Sequence, residues 1–300
     1  MVDFIHHNKD RYGVEAICRI LPIAASTYYR ALDLVDNPEH RAKRALHDLH
    51  HAEQIKRIWK ESLGRYGVRK VWQQLKREGY VIARCTVARL MQKLGIQGVW
   101  RGKNKQTTRS RDDQKRADDL VKRNFSADRP DQLWVSDFTY IQTHSGWVYT
   151  AFIIDVFSRA IVGWKVSTRM NTDMVLDALE QALHDRGMPK NVIHHSDRGV
   201  QYLSIRYTNR LEAANLRASV GTTGDSYDNA LAETVNGLYK TEVIEYLKAD
   251  WQGLEDVQLA TLNWVDWFNK KRVHSALGYV SPFEFEAMYY DKINPLGQVA

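Results

Sequence analysis

The chain has 300 residues, of which 44% are hydrophobic and 11% aromatic, and a formal net charge of +7. This length allows one large domain beside a smaller module. The apolar stretches are too short for a membrane span, and charged residues soon after Met1 exclude an apolar signal-peptide core. Cys18 and Cys85 lack Cys-x-x-Cys spacing, which argues against a disulfide framework or a zinc site. We therefore expect a reduced, cytoplasmic protein.

The charge is distributed unevenly along the chain. Residues 41–130 carry 24 Lys and Arg against 9 Asp and Glu, whereas residues 131–300 carry 15 against 21. A basic front section favours a polyanionic partner, because Lys and Arg beside phosphates release condensed counterions. A solvated helical surface is the common alternative for a run of charge, but the local excess favours nucleic acid.

Residues 1–40 are predicted to form an N-terminal helical segment. Within this segment, the pattern of residues 13–33 predicts a short helix that is interrupted at Pro22, with Ser26 as the N-cap of the part that follows. Its function is open from composition alone.

Residues 41–98 are predicted to form a small all-α helix-turn-helix domain that binds DNA. Apolar residues recur at three-to-four-residue spacing in three segments, which are bounded by the residues Arg41–Lys60, Val68–Lys76 and Thr86–Leu94. Thr86 is the predicted N-cap of the third helix. The residues Arg84, Arg89 and Lys93 of this domain are expected to lie along a DNA groove. A helical hairpin with incidental charge is the alternative.

Residues 99–129 are predicted to be a basic linker. Its segment 101–111 has five basic residues, no acidic residue and little apolar content. We expect Arg101, Lys103 and Lys105 to contact DNA.

Residues 130–290 show the pattern of a catalytic core, followed by a C-terminal tail at 291–300. The segments predicted as strands and helices follow the order βββαβαβ, with bounds Leu133–Ile141, Val148–Asp155, Ala160–Val166, Thr172–Arg186, Val192–Ser196, Ser204–Asn215 and Ala218–Val220. A three-stranded meander followed by crossover-connected strands predicts an α/β fold. We expect a ribonuclease H-like mixed five-stranded sheet with flanking helices.

Three carboxylates occupy positions that suit a catalytic site. Asp137 lies inside the first apolar strand, where an ionised group is costly unless something binds it. Asp197 ends the fourth strand, which we expect to neighbour the first. Glu233 follows the glycine-containing segment 221–225, early in a helix that starts near residue 228 or 229.

These carboxylates predict a site for divalent metal and phosphodiester chemistry. Their oxygens suit two Mg²⁺ ions, with Mn²⁺ as an alternative. Asn236 and Lys240 follow Glu233 by three and seven residues, so all three side chains share a helical face. We expect Asn236 and Lys240 to face the DNA, with Lys240 contacting a phosphate. A surface glutamate with a polar helical stripe is the alternative.

The residues around these carboxylates resemble the catalytic core shared by retroviral integrases and insertion-sequence transposases, in particular the downstream-frame (OrfB) type of the insertion-sequence-three family. The similar segments are Trp134–Ile141, His195–Tyr202 and Asp228–Lys240, and 35 residues separate Asp197 from Glu233, the interval of this family's DDE signature. The segment Arg65–Lys70 is similar to the helix-turn-helix region that precedes such cores, so Arg65, Arg69 and Lys70 are expected DNA contacts. Val273–Tyr279 is similar to the end of the core.

The resemblance implies a nucleoid-associated bacterial transposase. It implies Mg²⁺-dependent cleavage at the terminal repeats of an insertion sequence, followed by attack of the new 3′-hydroxyl on target DNA. Catalysis would rest on Asp137, Asp197 and Glu233, without a covalent enzyme intermediate. It also implies a homo-oligomer on DNA and an upstream-frame OrfA partner or fusion.

Some residues and functions stay open. His194, His195 and His274 are more often structural than catalytic in such positions. Trp100 and Trp147 suit either stacking on splayed bases or packing, whereas Trp72 lies on an apolar helix face and should pack. The rival functions are a nuclease that cuts without joining, a DNA-binding regulator with a decayed site and a metal-binding structural domain.

Overall fold

A computed structural model of the chain describes residues 1–100, 121, 125–196, 201–220, 230–247 and 250–294. Four of the predicted site residues lie outside these ranges: Asp197, Arg101, Lys103 and Lys105. The predicted loop 221–225 and the predicted helix start near residue 228 also lie outside them. Among the described residues, no helix is both long and apolar enough to span a membrane.

The N-terminal segment forms three packed helices: α1 (Val2–Tyr12), α2 (Val14–Ile20) and α3 (Ala25–Asp36). Their common core contains one buried side chain from each helix, Ile5, Ile17 and Tyr28. The sequence analysis predicted a helical segment over residues 1–40 but set no separate bounds for α1, whose other side chains are largely polar and exposed. The predicted N-cap at Ser26 is wrong, because the extended residue that precedes α3 is Ala24.

The second helical unit contains α4 (Lys43–Glu61), α5 (Val68–Arg77) and α6 (Arg84–Lys93), close to the predicted bounds. Ile55, Val71 and Leu90 are among the side chains buried between them. Thr86 is not the N-cap of α6, because the chain leaves the extended conformation at Ala83 and Thr86 already lies in the first turn.

The central sheet has five strands in the order β3-β2-β1-β4-β5, which confirms the predicted mixed sheet. The strands are β1 (Leu133–Thr143), β2 (Gly146–Asp155), β3 (Ile161–Ser167), β4 (Ile193–Ser196) and β5 (Arg217–Val220). The first three strands are antiparallel, whereas β4 is parallel to both β1 and β5. The predicted neighbours β1 and β4 are therefore adjacent.

Helices cover both faces of the sheet. One face packs on α7 (Thr172–Asp185) and α8 (Ile205–Ala213). The opposite face packs on α9 (Ala230–Tyr239) and α10 (Leu254–Lys270), and α11 (Pro282–Ile293) follows. The core of α4–α6 is continuous with that second face, so the helix-turn-helix-like unit is docked on the core.

Gly163 of β3 lies in close contact with α7. A β-carbon at this position would lie 2.3 Å from the carbonyl oxygen of Ala178 and 2.9 Å from the β-carbon of Ala182. We therefore expect Gly163→Ala to lower the free energy of unfolding by roughly 1–3 kcal/mol, measured by urea denaturation. Gly67→Ala is the control, because its β-carbon would meet only ordinary contact distances. Equal stability of the two variants would contradict this close approach.

Candidate active site

Asp137 lies midway along β1, and each of its carboxylate oxygens accepts a hydrogen bond. Its Oδ1 accepts from the backbone N–H of Phe138 at 2.8 Å. Its Oδ2 accepts from Nδ2 of Asn236 on α9, also at 2.8 Å. Because Asn236 is buried, this second bond fixes the carboxylate against the helix that carries Glu233.

Glu233 lies on α9, one helical turn before Asn236, and is exposed. Residues three apart lie on the same face of a helix and are separated by a rise of about 4.5 Å. The contact between Asn236 and Asp137 therefore directs the same face of α9, with Glu233, toward the middle of β1. Sequence spacing predicted the shared face, but it did not predict that Asn236 binds Asp137.

Ser136, the residue before Asp137, joins β1 to the segments on both sides of residues 197–200. Its backbone pairs with Ser196 at the end of β4. Its hydroxyl donates to the hydroxyl oxygen of buried Tyr202 at 2.9 Å. The chain before and after the predicted Asp197 is thus anchored beside Asp137. The sequence analysis quoted Tyr202 within a motif and assigned it no role.

Lys240 directly follows α9, one turn beyond Asn236. Its Nζ lies 4.7 Å from the centre of the Tyr140 ring, on the same strand as Asp137. A cation over an aromatic face is stabilised by the ring quadrupole. Lys240 is therefore held close to the strand that carries Asp137, at the edge of the candidate site.

A buried ion pair fixes the chain directly after α9. The π-helical turn Lys240–Glu245 contains Glu242, whose Oε1 accepts from Nη2 of Arg272 at 2.6 Å. Trp264 donates its indole N–H to the other carboxylate oxygen at 3.1 Å. Glu242 and Arg272 are 7% and 6% exposed. The sequence analysis did not predict this pair. In the sequence, Glu242 has the pattern of a solvent-exposed charge on a helix, and its partner Arg272 is 30 residues away.

Comparison with known proteins gives three matches to described families. Residues 127–226 and 214–282 match the integrase core domain, and residues 47–104 match an HTH-like domain. The transposase for insertion sequence element IS629 of Shigella sonnei is 52% identical over 98% of this chain and 98% of that protein. This chain belongs to the insertion-sequence transposases.

A second relative and a solved structure are more distant. The transposase InsF for insertion sequence IS3A of Escherichia coli K12 is 32% identical, over 94% of this chain and 97% of its own length. The HTLV-2 integrase catalytic core domain in complex with magnesium is 18% identical, with a TM-score of 0.44. That alignment covers 54% of this chain and 99% of the integrase chain.

Arg65 does not have the exposure expected of a DNA contact in this transposase. Its side chain is 7% exposed, and its Nε donates to the carbonyl oxygen of Glu242 at 3.1 Å. Its guanidinium lies 4.6 Å from the Trp267 ring centre. The hydroxyl of neighbouring Tyr66 accepts from the N–H of Val273 at 2.8 Å. These contacts give Arg65 a structural place between the helical unit and the core.

Lys70 lies in the same junction, half-buried, with its Nζ 5.0 Å from the Tyr66 ring centre. Burial, followed by the charge of Arg272, lowers the pKa of its ammonium group from 10.5 to about 7, against the opposing attraction of Glu242. At neutral pH this lysine is therefore poorly suited to act as a permanent cation for DNA. This burial could not be predicted from the sequence pattern, because Lys70 lies in a basic motif.

The lowered pKa of Lys70 predicts that replacing this lysine by an uncharged residue raises the free energy of unfolding, by an amount that depends on pH. The unfolded chain binds more protons than the folded one between the folded pKa of about 7 and the ordinary value of 10.5. The cost of burying the ammonium is therefore full below pH 7 and disappears as the pH rises through 10.5. Relative to the wild type, Lys70→Met should gain roughly 2–4 kcal/mol of unfolding free energy at pH 6, and less at pH 10.

Urea denaturation of both proteins at each pH measures this difference. Lys76→Met, which removes an exposed lysine of the same helix, is the matched control and should show little dependence on pH. A Lys70→Met effect that stays constant from pH 6 to pH 10 would contradict the lowered pKa.

The other predicted DNA contacts of the helical unit are exposed. Arg84 and Lys93 lie at the two ends of α6, and Arg89 forms an ion pair with Asp48 at 2.8 Å. Arg69 is exposed, with its guanidinium 5.6 Å from the Tyr279 ring centre. These placements leave all four side chains accessible to a DNA backbone.

The paired histidines of β4 have structural contacts. Nε2 of His194 lies 3.1 Å from the Tyr207 hydroxyl oxygen, and Nδ1 of His195 lies 2.9 Å from Oγ of Ser219. Burial, followed by the neighbouring His195, lowers the pKa of His194 to about 3. His194 is therefore neutral at physiological pH, in agreement with its omission from the predicted catalytic set.

The described site residues fit a hard divalent cation in their donor chemistry. Asp137 and Glu233 offer carboxylate oxygens, the ligand type that Mg²⁺ and Mn²⁺ prefer. Within the described ranges, which do not include Asp197, no three His, Cys, Asp or Glu side chains form a metal cluster. The complete three-carboxylate site stays a prediction.

Proposed function

We propose that this chain catalyses metal-dependent cleavage and strand transfer at insertion-sequence ends, with Asp137, Asp197 and Glu233 as its catalytic residues. The observation that carries the proposal is the hydrogen bond from Asn236 to Asp137. It joins the strand with the first carboxylate to the helix with the third.

Two contacts of Ser136 support Asp197 as the second carboxylate. Ser196 pairs with Ser136, and Tyr202 is hydrogen-bonded to it. Adjacent strands lie about 4.8 Å apart, so β4 ends one strand spacing from the residue that precedes Asp137. Chain connectivity then makes Asp197 the next residue after that end.

Each residue of the proposed site has a distinct task in the reaction. The three carboxylates would hold Mg²⁺ or Mn²⁺, which supplies Lewis-acid activation of the attacking and leaving oxygens. Asn236 orients Asp137 by donating to Oδ2, and Lys240 lies where its ammonium group would contact a DNA phosphate.

The reaction has two phosphoryl-transfer steps. In cleavage, water attacks the phosphodiester at the element end, and the bond to the 3′-oxygen breaks, which leaves a 3′-hydroxyl. In strand transfer, that hydroxyl attacks a target phosphodiester, and the target's own 3′-oxygen leaves with a proton. The number of phosphodiester bonds is unchanged in the second step.

We place the sequence-independent DNA contacts on the exposed face of the helical unit and on the linker. Arg69, Arg84, Arg89 and Lys93 are exposed, and a DNA phosphate would compete with Asp48 for Arg89. Arg101, Lys103 and Lys105 belong to the same proposal on the basis of the charge of their segment. Arg65 is left out because it is buried against Trp267.

A strand-transfer assay tests the proposed function. The purified chain is incubated with DNA carrying the ends that flank its gene, a target plasmid and either Mg²⁺ or EDTA. Joined products that require Mg²⁺ are expected, whereas cleavage without joining would favour a nuclease. If neither occurs, the assay is repeated with the upstream-frame OrfA protein supplied or fused. Continued inactivity with intact DNA binding would favour a regulator.

We also propose that the chain acts as a homo-oligomer on DNA. Joining two element ends to one target requires at least two active sites in a single complex. Light scattering of the complex with paired ends should therefore give a mass of two or more protomers. A mass of one protomer on two ends would contradict this assembly.

A further inference from the structure

Two aromatic side chains stand out from the surface of the β1–β2 hairpin. Tyr140 is 44% exposed and Trp147 is 50% exposed. Their ring centres lie 5.4 Å apart at an angle of 80°. Tyr140 pairs with Tyr149, and Gln142 pairs with Trp147, so the two side chains are diagonal neighbours on one face of the sheet. We call this pair the hairpin platform.

The hairpin platform lies beside the candidate active site. Tyr140 is three residues after Asp137 on β1, a separation of about 10 Å along a strand, so their side chains point to opposite faces of the sheet, and Lys240 connects the two at the edge of β1 that extends beyond β4. Lys240 lies over the Tyr140 ring and is one helical turn from Asn236, which binds Asp137. A cation that suits a DNA phosphate is thus in contact with an exposed aromatic surface next to the proposed reaction centre.

The tip of the hairpin is fixed to the chain that precedes α10. The N–H groups of His144 and Ser145 donate to the carbonyl oxygens of Trp251 and Gln252 at 2.9 and 3.0 Å. The hydroxyl of Ser145 donates to the Gln252 carbonyl at 2.6 Å. The hairpin platform is therefore presented by an anchored element, which reduces the entropy that a ligand would have to order on binding.

We propose that the hairpin platform stacks an unpaired nucleobase of the DNA strand whose phosphodiester lies at Asp137. Trp147 supplies the stacking surface, Tyr140 supports its indole edge-on, and Lys240 contacts the adjoining phosphate. The inference rests on the proposed function, because it assumes a DNA strand at the carboxylates. It adds a nucleobase subsite that distinguishes a frayed or single-stranded end from a paired one.

The combination of groups favours a nucleotide over a protein partner. Every base offers a π-face, and stacking on aromatic side chains combined with cationic contacts to the backbone is the usual way to bind single-stranded nucleic acid. The same aromatic pair without Lys240 and Asp137 nearby would fit a protein contact equally well. A self-association role is therefore an outcome that the experiment must separate.

Binding of two matched DNAs tests the proposal without chemistry. Both carry the element end, and one has three unpaired nucleotides at that end, including 2-aminopurine, whereas the other is fully paired. EDTA prevents cleavage. The wild type should quench the 2-aminopurine fluorescence, and Trp147→Ala should abolish this quenching. Trp147→Ala should also weaken binding of the unpaired DNA roughly tenfold or more, with less than about a twofold effect on the paired DNA.

Two further variants control this measurement. Trp147→Phe, which keeps an aromatic face, should retain part of the quenching, and Tyr290→Ala removes an exposed aromatic on α11 and should change nothing. Absent quenching in the wild type, or equal weakening on both DNAs, would overturn the proposal. So would a loss of oligomer mass in Trp147→Ala with unchanged quenching, which would indicate a protein contact.

These outcomes are separable from those of the strand-transfer assay. Quenching that depends on Trp147 in a protein that never joins DNA would preserve the subsite and refute the proposed function. Normal joining without quenching would refute the subsite alone.

Discussion

Asp137→Asn is expected to lower the rate of strand transfer roughly a thousandfold or more. The amide keeps the size of the carboxylate and can still accept from Nδ2 of Asn236, so α9 should stay in place. It removes the negative charge that would bind the metal. Because metal activation contributes several kcal/mol and each 1.36 kcal/mol is a tenfold change in rate, a loss of this size follows.

Joined product per unit time, measured with Mg²⁺ and DNA carrying the element ends, gives this ratio. Asp177→Asn is the matched control, because it makes the same change at an exposed position of α7, where its partner is Lys165. DNA affinity should be little changed in both variants, since phosphate contacts of the basic residues supply most of it. Strand transfer by Asp137→Asn within tenfold of the wild type would contradict a catalytic role for Asp137.

Arg272→Met is expected to lower the free energy of unfolding by about 3–5 kcal/mol. The substitution leaves the carboxylate of Glu242 buried without the Arg272 guanidinium, while the hydrogen bond from the Trp264 indole remains. The carboxylate normally has a pKa below its ordinary value despite the opposing effect of burial, because Arg272 is charged and hydrogen-bonded to it. Without Arg272, the effect of burial on the pKa of Glu242 is expected to dominate and to disfavour the charged carboxylate.

A double-mutant cycle separates the ion pair from general packing. Glu242→Met combined with Arg272→Met should be less destabilised than the sum of the two single variants, because neither charge remains buried alone. Lys270→Met, in an exposed pair with Asp266, is the control and should change stability by less than about 1 kcal/mol. Strict additivity in the buried pair would show that the two residues do not act together.

The strands of the meander, including the strand that carries Asp137, could be predicted from the sequence because they follow from short-range patterns. Runs of β-branched and aromatic residues separated by short turns predict a meander, and β1, β2 and β3 agree with that prediction within a few residues. The three-residue spacing from Glu233 to Asn236 likewise determines a shared helix face.

Contacts between distant parts of the chain could not be predicted in this way. Arg65 lies in a basic motif, and only its approach to Glu242 and Trp267 shows that it is buried between two units. The hydrogen bond from Asn236 to Asp137 joins residues 99 positions apart, so spacing within the helix could not predict it. In each case the deciding interaction joins residues far apart in sequence.

The central claim is that three carboxylates bind the metal at which DNA strands are joined, and a thiol substitution at Asp197 tests it most directly. Asp197→Cys replaces a hard oxygen ligand by a soft sulfur ligand, which Mg²⁺ binds poorly and Mn²⁺ tolerates better. Strand transfer by this variant is measured in each metal, beside the wild type. The account predicts loss of joining in Mg²⁺ and partial recovery in Mn²⁺. Wild-type rates of joining by Asp197→Cys in Mg²⁺ would contradict it.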